Sequence, residues 1–233
     1  MPCFPCPRHS VVVSLLLISG AASATPTVAP GPGVDPADYQ VTAFATGLNY
    51  PYGMAELADG SLLVATSTPS AGGGYFGSSA GSLVRLADLD GDGVAESSQS
   101  LISTLPGRVT ALARAGNLVL ATTASSTAGA DARINVLRAG ATPADPLMPA
   151  GFIDIDYGAA NPEHTSFALA VRPDPGVPGG QQVFFNLGSA RNNVPTAEPV
   201  TLSGLIAGSV TADGLYAVTL TDSGAAVSAA APV

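Results

Sequence analysis

GMAELADGSLLVAT (53–66) and VTALARAGNLVLATT (109–123) are the two stretches that decide the fold. Each is an apolar run, a turn dipeptide and a second apolar run. Asp59-Gly60 divides the first and Gly116-Asn117 the second. Such dipeptides favour tight hairpins, because they accept the backbone conformations that a two-residue turn requires. Leu62-Leu63-Val64-Ala65-Thr66 aligns with Leu118-Val119-Leu120-Ala121-Thr122 at a spacing of 56 residues. SFALAVRPDPGVPGGQQVFFN (166–186) repeats the pattern with a longer Pro/Gly turn, and a more polar segment follows each hairpin: GSLVRLADLD (81–90), ARINVLRAG (132–140) and GLYAVTLTDSG (214–224). Continuously apolar inner strands followed by an alternating outer strand describe a propeller blade, whose inner strands are sandwiched between neighbouring blades.

The expected fold is therefore all-β, a partial β-propeller of about three four-stranded antiparallel blades. The units span roughly 39–104, 105–160 and 161–225. They are longer than the ~40–50 residues of common propeller repeats, so insertions are expected in loops at 65–81 and 193–214. Closed propellers need at least about four blades. SAAAPV at the end offers no strand to pair back to the first unit, so the expectation is a portion of a longer, six-bladed protein. The alternative is an arrangement of three units other than a propeller.

Residues 1–24 read as a signal peptide: Arg8 and His9, the apolar run VVVSLLLI (11–18), and Ala22-Ser23-Ala24 as a small-residue cleavage site. The alternative is an uncleaved anchor, although the run is short for a membrane span. Residues 25–38 read as a flexible Pro/Gly-rich segment, and 39–233 as the propeller domain. Cys3 and Cys6 both lie in the leader, so no disulfide is expected beyond it. The expected location is secreted or periplasmic.

All eight basic residues are arginine. Arg8 belongs to the leader, so the rest carries 7 arginines against 17 acidic residues, a net charge of −10. That balance argues against nucleic acid and anionic membrane surfaces as partners. With no lysine, Schiff-base chemistry is excluded. The low charged fraction (11%), with 27 Gly and 20 Pro, suits short strands and turns; no window of a dozen residues keeps a helical apolar period.

Three places can carry chemistry. His164 is the only histidine beyond the leader, and the hairpin after it can set it near Ser189, Arg191, Asn192 and Asn193. A proton-abstracting base needs such neighbours. Glu163 is a solvent-facing carboxylate or an orienting acid for that histidine. In DLDGDGVAE (88–96), Asp88, Asp90 and Asp92 occupy positions 1, 3 and 5 of a loop, with Gly93 at position 6 and Glu96 beyond. That is a calcium-loop spacing, and equally a hydrophilic hairpin turn. Tyr52 either lines a substrate site or caps a blade junction. Asp154 and Asp156 alternate with apolar residues and are expected on one strand face. AGGGYFG (71–77) lacks the lysine and helix of a phosphate loop.

FATGLNYPYGMAELADGSLLVAT (44–66), GSLVRLADLDGDGVAE (81–96) and EHTSFALAVRPD with FFNLGSARNN together resemble the glucose/sorbosone dehydrogenase family. Its best-known members are soluble, secreted six-bladed propellers that oxidise sugars with pyrroloquinoline quinone (PQQ). The resemblance covers about residues 40–225, the N-terminal half of a typical member. It implies a sugar or polyol substrate, His164 as general base, and Arg191 and Asn192 beside the cofactor; the family's other quinone-gripping residues lie mainly in later blades, so the expectation is that these 233 residues alone are inactive. The family's orienting aspartate follows the glycine matched by Gly188; Ser189 stands there instead, and a serine cannot stabilise an imidazolium as a carboxylate does. A non-catalytic extracellular propeller binding a glycan or protein is the second reading, and a calcium-dependent propeller lactonase the third.

Overall fold

The computed structural model describes residues 27–69, 74–124, 131–158, 164–165, 168–190 and 198–230. Residues up to Thr42 form a separate unit. Within it, Gly31 and Val34 form a β-bridge, and Asp35 caps a short 3-10 turn, Pro36–Asp38, by accepting from the Ala37 amide at 3.0 Å. The expected signal peptide lies outside the described residues.

From Ala43 onward the chain is all-β, in three antiparallel sheets. The first is a four-stranded meander of β1 (Met54–Glu56), β2 (Leu62–Ser67), β3 (Ala80–Ala87) and β4 (Ser97–Pro106). The second repeats it with β5 (Arg108–Ala115), β6 (Leu118–Ala124), β7 (Ala132–Arg138) and β8 (Met148–Asp156). The third opens with β9 (Leu169–Pro173) and β10 (Gly180–Leu187). The chain then leaves to form a hairpin, β11 (Pro199–Gly204) and β12 (Gly208–Thr211), before β13 (Gly214–Asp222) and β14 (Val227–Ala229) complete the sheet. Among the described residues the innermost strands gather: β5 lies against β1 on one side and β9 on the other. This is the propeller-like arrangement the repeat implies.

The turns form where their residues permit. Gly60 and Gly116 adopt φ of +81° and +61°, conformations that a Cβ disfavours. Asp59 closes the first turn by accepting from the Ser61 amide and hydroxyl, and Arg85 across the sheet pairs with the same carboxylate at 2.7 Å. Together these hold the Asp59 carboxyl down at about 2, the Ser61 hydroxyl contributing most.

Burial on both faces distinguishes the middle sheet. Every residue of β6 is buried. Leu118 and Leu120 pack with Ile134, Ile153, Val183 and Phe185 on the third-sheet side. Val119 and Ala121 pack with Leu63, Leu83 and Leu105 on the first-sheet side. Fully burying a leucine or valine stabilises by about 1.5–3 kcal/mol. The expected continuity of burial holds for β2 and β6 but not for β10. There Val183, Phe185 and Leu187 are buried, while Gln182, Phe184 and Asn186 are half-buried on the opposite face. Arg172 roofs that face, stacking over Phe184 at 5.2 Å and donating to Gln182 at 2.8 Å.

Two details depart from the expectation. The second sheet has six strands, because β11 pairs antiparallel with the outer edge of β8, setting Thr201 opposite Asp156 and Gly204 opposite Ile153. The 193–214 stretch is thus not simply a loop; its residues 193–197 lie outside the described ones. The physical reason is alternation: Val200 and Leu202 enter the core while Thr201 and Ser203 stay exposed. The third sheet also takes its outer strand, Val227–Ala229, from beyond residue 225. Sheets two and three are clasped by Arg138 and Asp222, a two-pronged ion pair at 2.6 and 3.0 Å. Arg138 holds the Asp222 carboxyl below the usual carboxylate range.

Replacing Leu120 with alanine opens a hole between two sheets. We expect a loss of about 2–5 kcal/mol by urea denaturation, against at most about 0.5 kcal/mol for Ser98→Ala on an exposed strand position. The Arg138–Asp222 clasp predicts an acid dependence. A depressed carboxylate stabilises above its unfolded pKa of about 3.9 and loses that contribution as pH falls through its folded value. The gap in thermal midpoint between wild type and Asp222→Asn is therefore expected to be full at pH 7 and to close below about pH 4.

Candidate functional site

The strand registers put functional loops at two opposite ends. At one end β5 begins, β6 ends, β7 begins and β8 ends, since Arg108 and Ala132 both lie opposite Ala124, and Ala132 also lies opposite Ile155. Two bonds tie the neighbouring sheets in here. The Tyr75 hydroxyl, from the β2–β3 connection, donates to the Val109 carbonyl at 2.6 Å. The Tyr157 hydroxyl, just after β8, donates to the Gly188 carbonyl at 3.0 Å, just after β10.

His164 sits at this end, on the connection entering β9, and is exposed. Its amide donates to the Ser189 carbonyl at 3.3 Å. Four residues on, the Ala168 amide donates to the Asn186 side chain at 2.8 Å. The segment is pressed so tightly on β10's exit that a Cβ on Gly188 would stand 2.5 Å from the His164 carbonyl oxygen. Only glycine lets the two backbones meet. Thr165, next along, is buried, and its hydroxyl has no hydrogen-bond partner among the described residues. The structure therefore brings His164 to Gly188 and Ser189. Glu163, Arg191 and Asn192 lie outside the described residues.

Beneath this loop lies a polar set that sequence reasoning did not single out. Asp131, at the start of β7, accepts from the Tyr157 amide at 2.8 Å. Burial raises the Asp131 carboxyl, with the Asp156 charge adding to it. Burial pushes the Tyr157 phenol far up, reinforced by the charges of Asp131 and Asp213. Two carboxylates, Asp131 and Asp213, thus bear on the Tyr157 phenol. DARIN held no pattern that marked Asp131; only the return of β8 beside β7 joins it to Tyr157.

Asp154 and Asp156 take different partners, and Asp154 is the one tied across the sheet. It is held by Arg133 in a two-pronged pair at 2.5 and 2.9 Å, while Asp156 accepts from the Gly158 amide. Tyr52 stacks on Tyr75, with ring centroids 5.4 Å apart and planes 15° from parallel, at the junction of sheets one and two.

The acidic loop occupies the opposite end, between β3 and β4. The nearest ligand oxygens of Asp88, Asp90, Asp92 and Glu96 all lie within 4.8 Å of one another, close enough to surround a hard cation such as calcium. The same carboxylates already close the loop. Asp88 accepts from the Gly91 and Gly93 amides, Asp90 from Asp92, Asp92 from Val94, and Glu96 from Leu89. Those amides, Gly93 foremost, hold the Asp88 carboxyl low. The hairpin-turn reading thus accounts for the loop's geometry unaided.

A groove of about 680 Å³ runs between the innermost strands, lined by Met54–Ala58, Leu112–Arg114, Gly116 and Leu169–Val171. His164 is not among its lining residues. No helix among the described residues is long and apolar enough to cross a membrane. No family model, curated protein or solved structure matches the chain.

Gly188→Ala tests the close approach. The added methyl must displace the His164 backbone, so we expect a loss of about 1–3 kcal/mol in chemical denaturation. The His164 imidazole resonances should shift with it.

Proposed function

We propose that the loop end carrying His164 acts on a sugar or polyol hydroxyl, with His164 as the general base of a quinone-dependent oxidation. The observation that supports this reading is the anchoring of His164 on Gly188 and Ser189, directly before Arg191 and Asn192 in sequence. A base must be exposed to substrate and held by its neighbours, and an exposed side chain on a backbone tied at both ends answers both needs. His164 would take the hydroxyl proton, and the Ser189 hydroxyl would orient the ring without stabilising its charge.

PQQ, when bound, would supply the hydride acceptor. The described residues fit the proton-abstracting half of such a site. They fit the cofactor less well, because Asp131 and Asp213 oppose the quinone's carboxylates, which leaves Arg191 and Asn192 to hold it. Ser189 in place of an orienting carboxylate favours the second reading, a non-catalytic extracellular module that binds a glycan or protein.

The longer protein of which these residues are expected to be a portion, mixed with PQQ, calcium, a dye acceptor and a panel of sugars and polyols, separates the two. Substrate-dependent dye reduction that falls at least about 100-fold in His164→Ala is expected for the oxidation. No reduction with any substrate, and no change in thermal midpoint on adding the quinone, would remove it.

A further inference from the structure

We infer that a second site, built by Tyr50, Tyr52, Tyr75, Phe76 and Arg108, binds a neutral glycan by stacking on pyranose rings. This goes beyond the oxidation reading and does not rest on it. Two loops and a strand build it: the segment entering β1, the 3-10 turn Tyr75–Gly77, and the start of β5.

Tyr75 is its keystone. It is half-buried, and its hydroxyl is committed to the Val109 carbonyl. Burial pushes that phenol up to about 12. Around it, Tyr52 stacks at 5.4 Å, while Tyr50 and Phe76 meet it edge-on at 6.1 and 5.4 Å. Arg108 lies over Tyr75 and Phe76, 5.9 and 5.5 Å from the ring centres, and donates to the Phe76 carbonyl at 3.3 Å. Among the described residues it takes part in none of the three ion pairs, and its buried Nε has no hydrogen-bond partner there.

A purely structural cluster would bury its rings. Here Tyr50, Tyr52 and Phe76 are 38, 41 and 73% exposed. Tyr50 is held at φ +45°, one of two non-glycine residues among those described with positive φ. Such strain persists only when its surroundings impose it. The tyrosine hydroxyls of Tyr50 and Tyr52 donate to no group among the described residues, and Arg108 retains donor capacity. Flat rings with polar edges and one guanidinium match a pyranose, which offers an apolar C–H face ringed by hydroxyls. The strongly negative chain disfavours polyanions, so the glycan is neutral. The near-parallel Tyr52–Tyr75 stack closes the gap between those rings, where a polyproline helix would need an open groove.

Titration of the full chain with cellohexaose and with laminarihexaose, followed by calorimetry and tyrosine fluorescence, tests this. The chain has no tryptophan, and three of its six tyrosines are in the cluster. Binding of at least one oligosaccharide is expected. It should weaken about tenfold in Tyr52→Ala and in Phe76→Ala, the latter with its thermal midpoint unchanged, and persist in His164→Ala. No heat with either sugar overturns the inference. So does binding that both ring variants leave intact, or tighter binding of a decaproline peptide than of either sugar.

Discussion

β6 has no solvent face, and the rest of the architecture depends on that. Leu118 and Leu120 point into one apolar layer, Val119 and Ala121 into another. A strand buried on both sides needs a sheet on each side, so the first and third sheets must stack on the second. That stacking draws β1, β5 and β9 together and leaves the groove between them. It also forces the connecting loops to two ends, where function can reside.

Polar contacts refine this arrangement rather than create it. Arg138 and Asp222 pin the far corners of two sheets, and Arg133 and Asp154 pin two strands of one. At the His164 end, Tyr157 reaches from the second sheet to the third through the Gly188 carbonyl. At the same end, the Tyr75 phenol reaches from the first sheet to the second through the Val109 carbonyl. Each interface between sheets is thus closed at its loop end by a tyrosine, with an exposed and chemically capable side chain beside it: His164 at one, Tyr52 and Phe76 at the other.

These two sites differ in what supports them. The His164 site rests on a backbone tie to Gly188 and Ser189. The charges of Asp131 and Asp213 bear on Tyr157 beside it. The aromatic site resembles nothing singled out in advance except through Tyr52. It rests on exposed rings, a strained tyrosine and an arginine with no acidic partner among the described residues. The acidic loop shows the converse. Its spacing matched a cation site, yet its own amides already satisfy most of its geometry.

Much of the fold was legible because local chemistry agreed with it. Asp59-Gly60 and Gly116-Asn117 can hardly be anything but turns, and LVLATT is too apolar for a strand with a wet face. The approach of His164 to Ser189 was readable too, since a hairpin must return its second strand beside the first. What only the tertiary structure decided is where non-adjacent segments meet. Val200 and Leu202 alternate as any half-buried strand does, but nothing local tells them to cross to β8 rather than stay beside β10. Tyr50, Tyr75 and Phe76 are separate aromatic residues in sequence, and they become one surface only when the first sheet packs on the second. Alternation and turn propensity act over a few residues, whereas a site assembled across sheets depends on long-range packing.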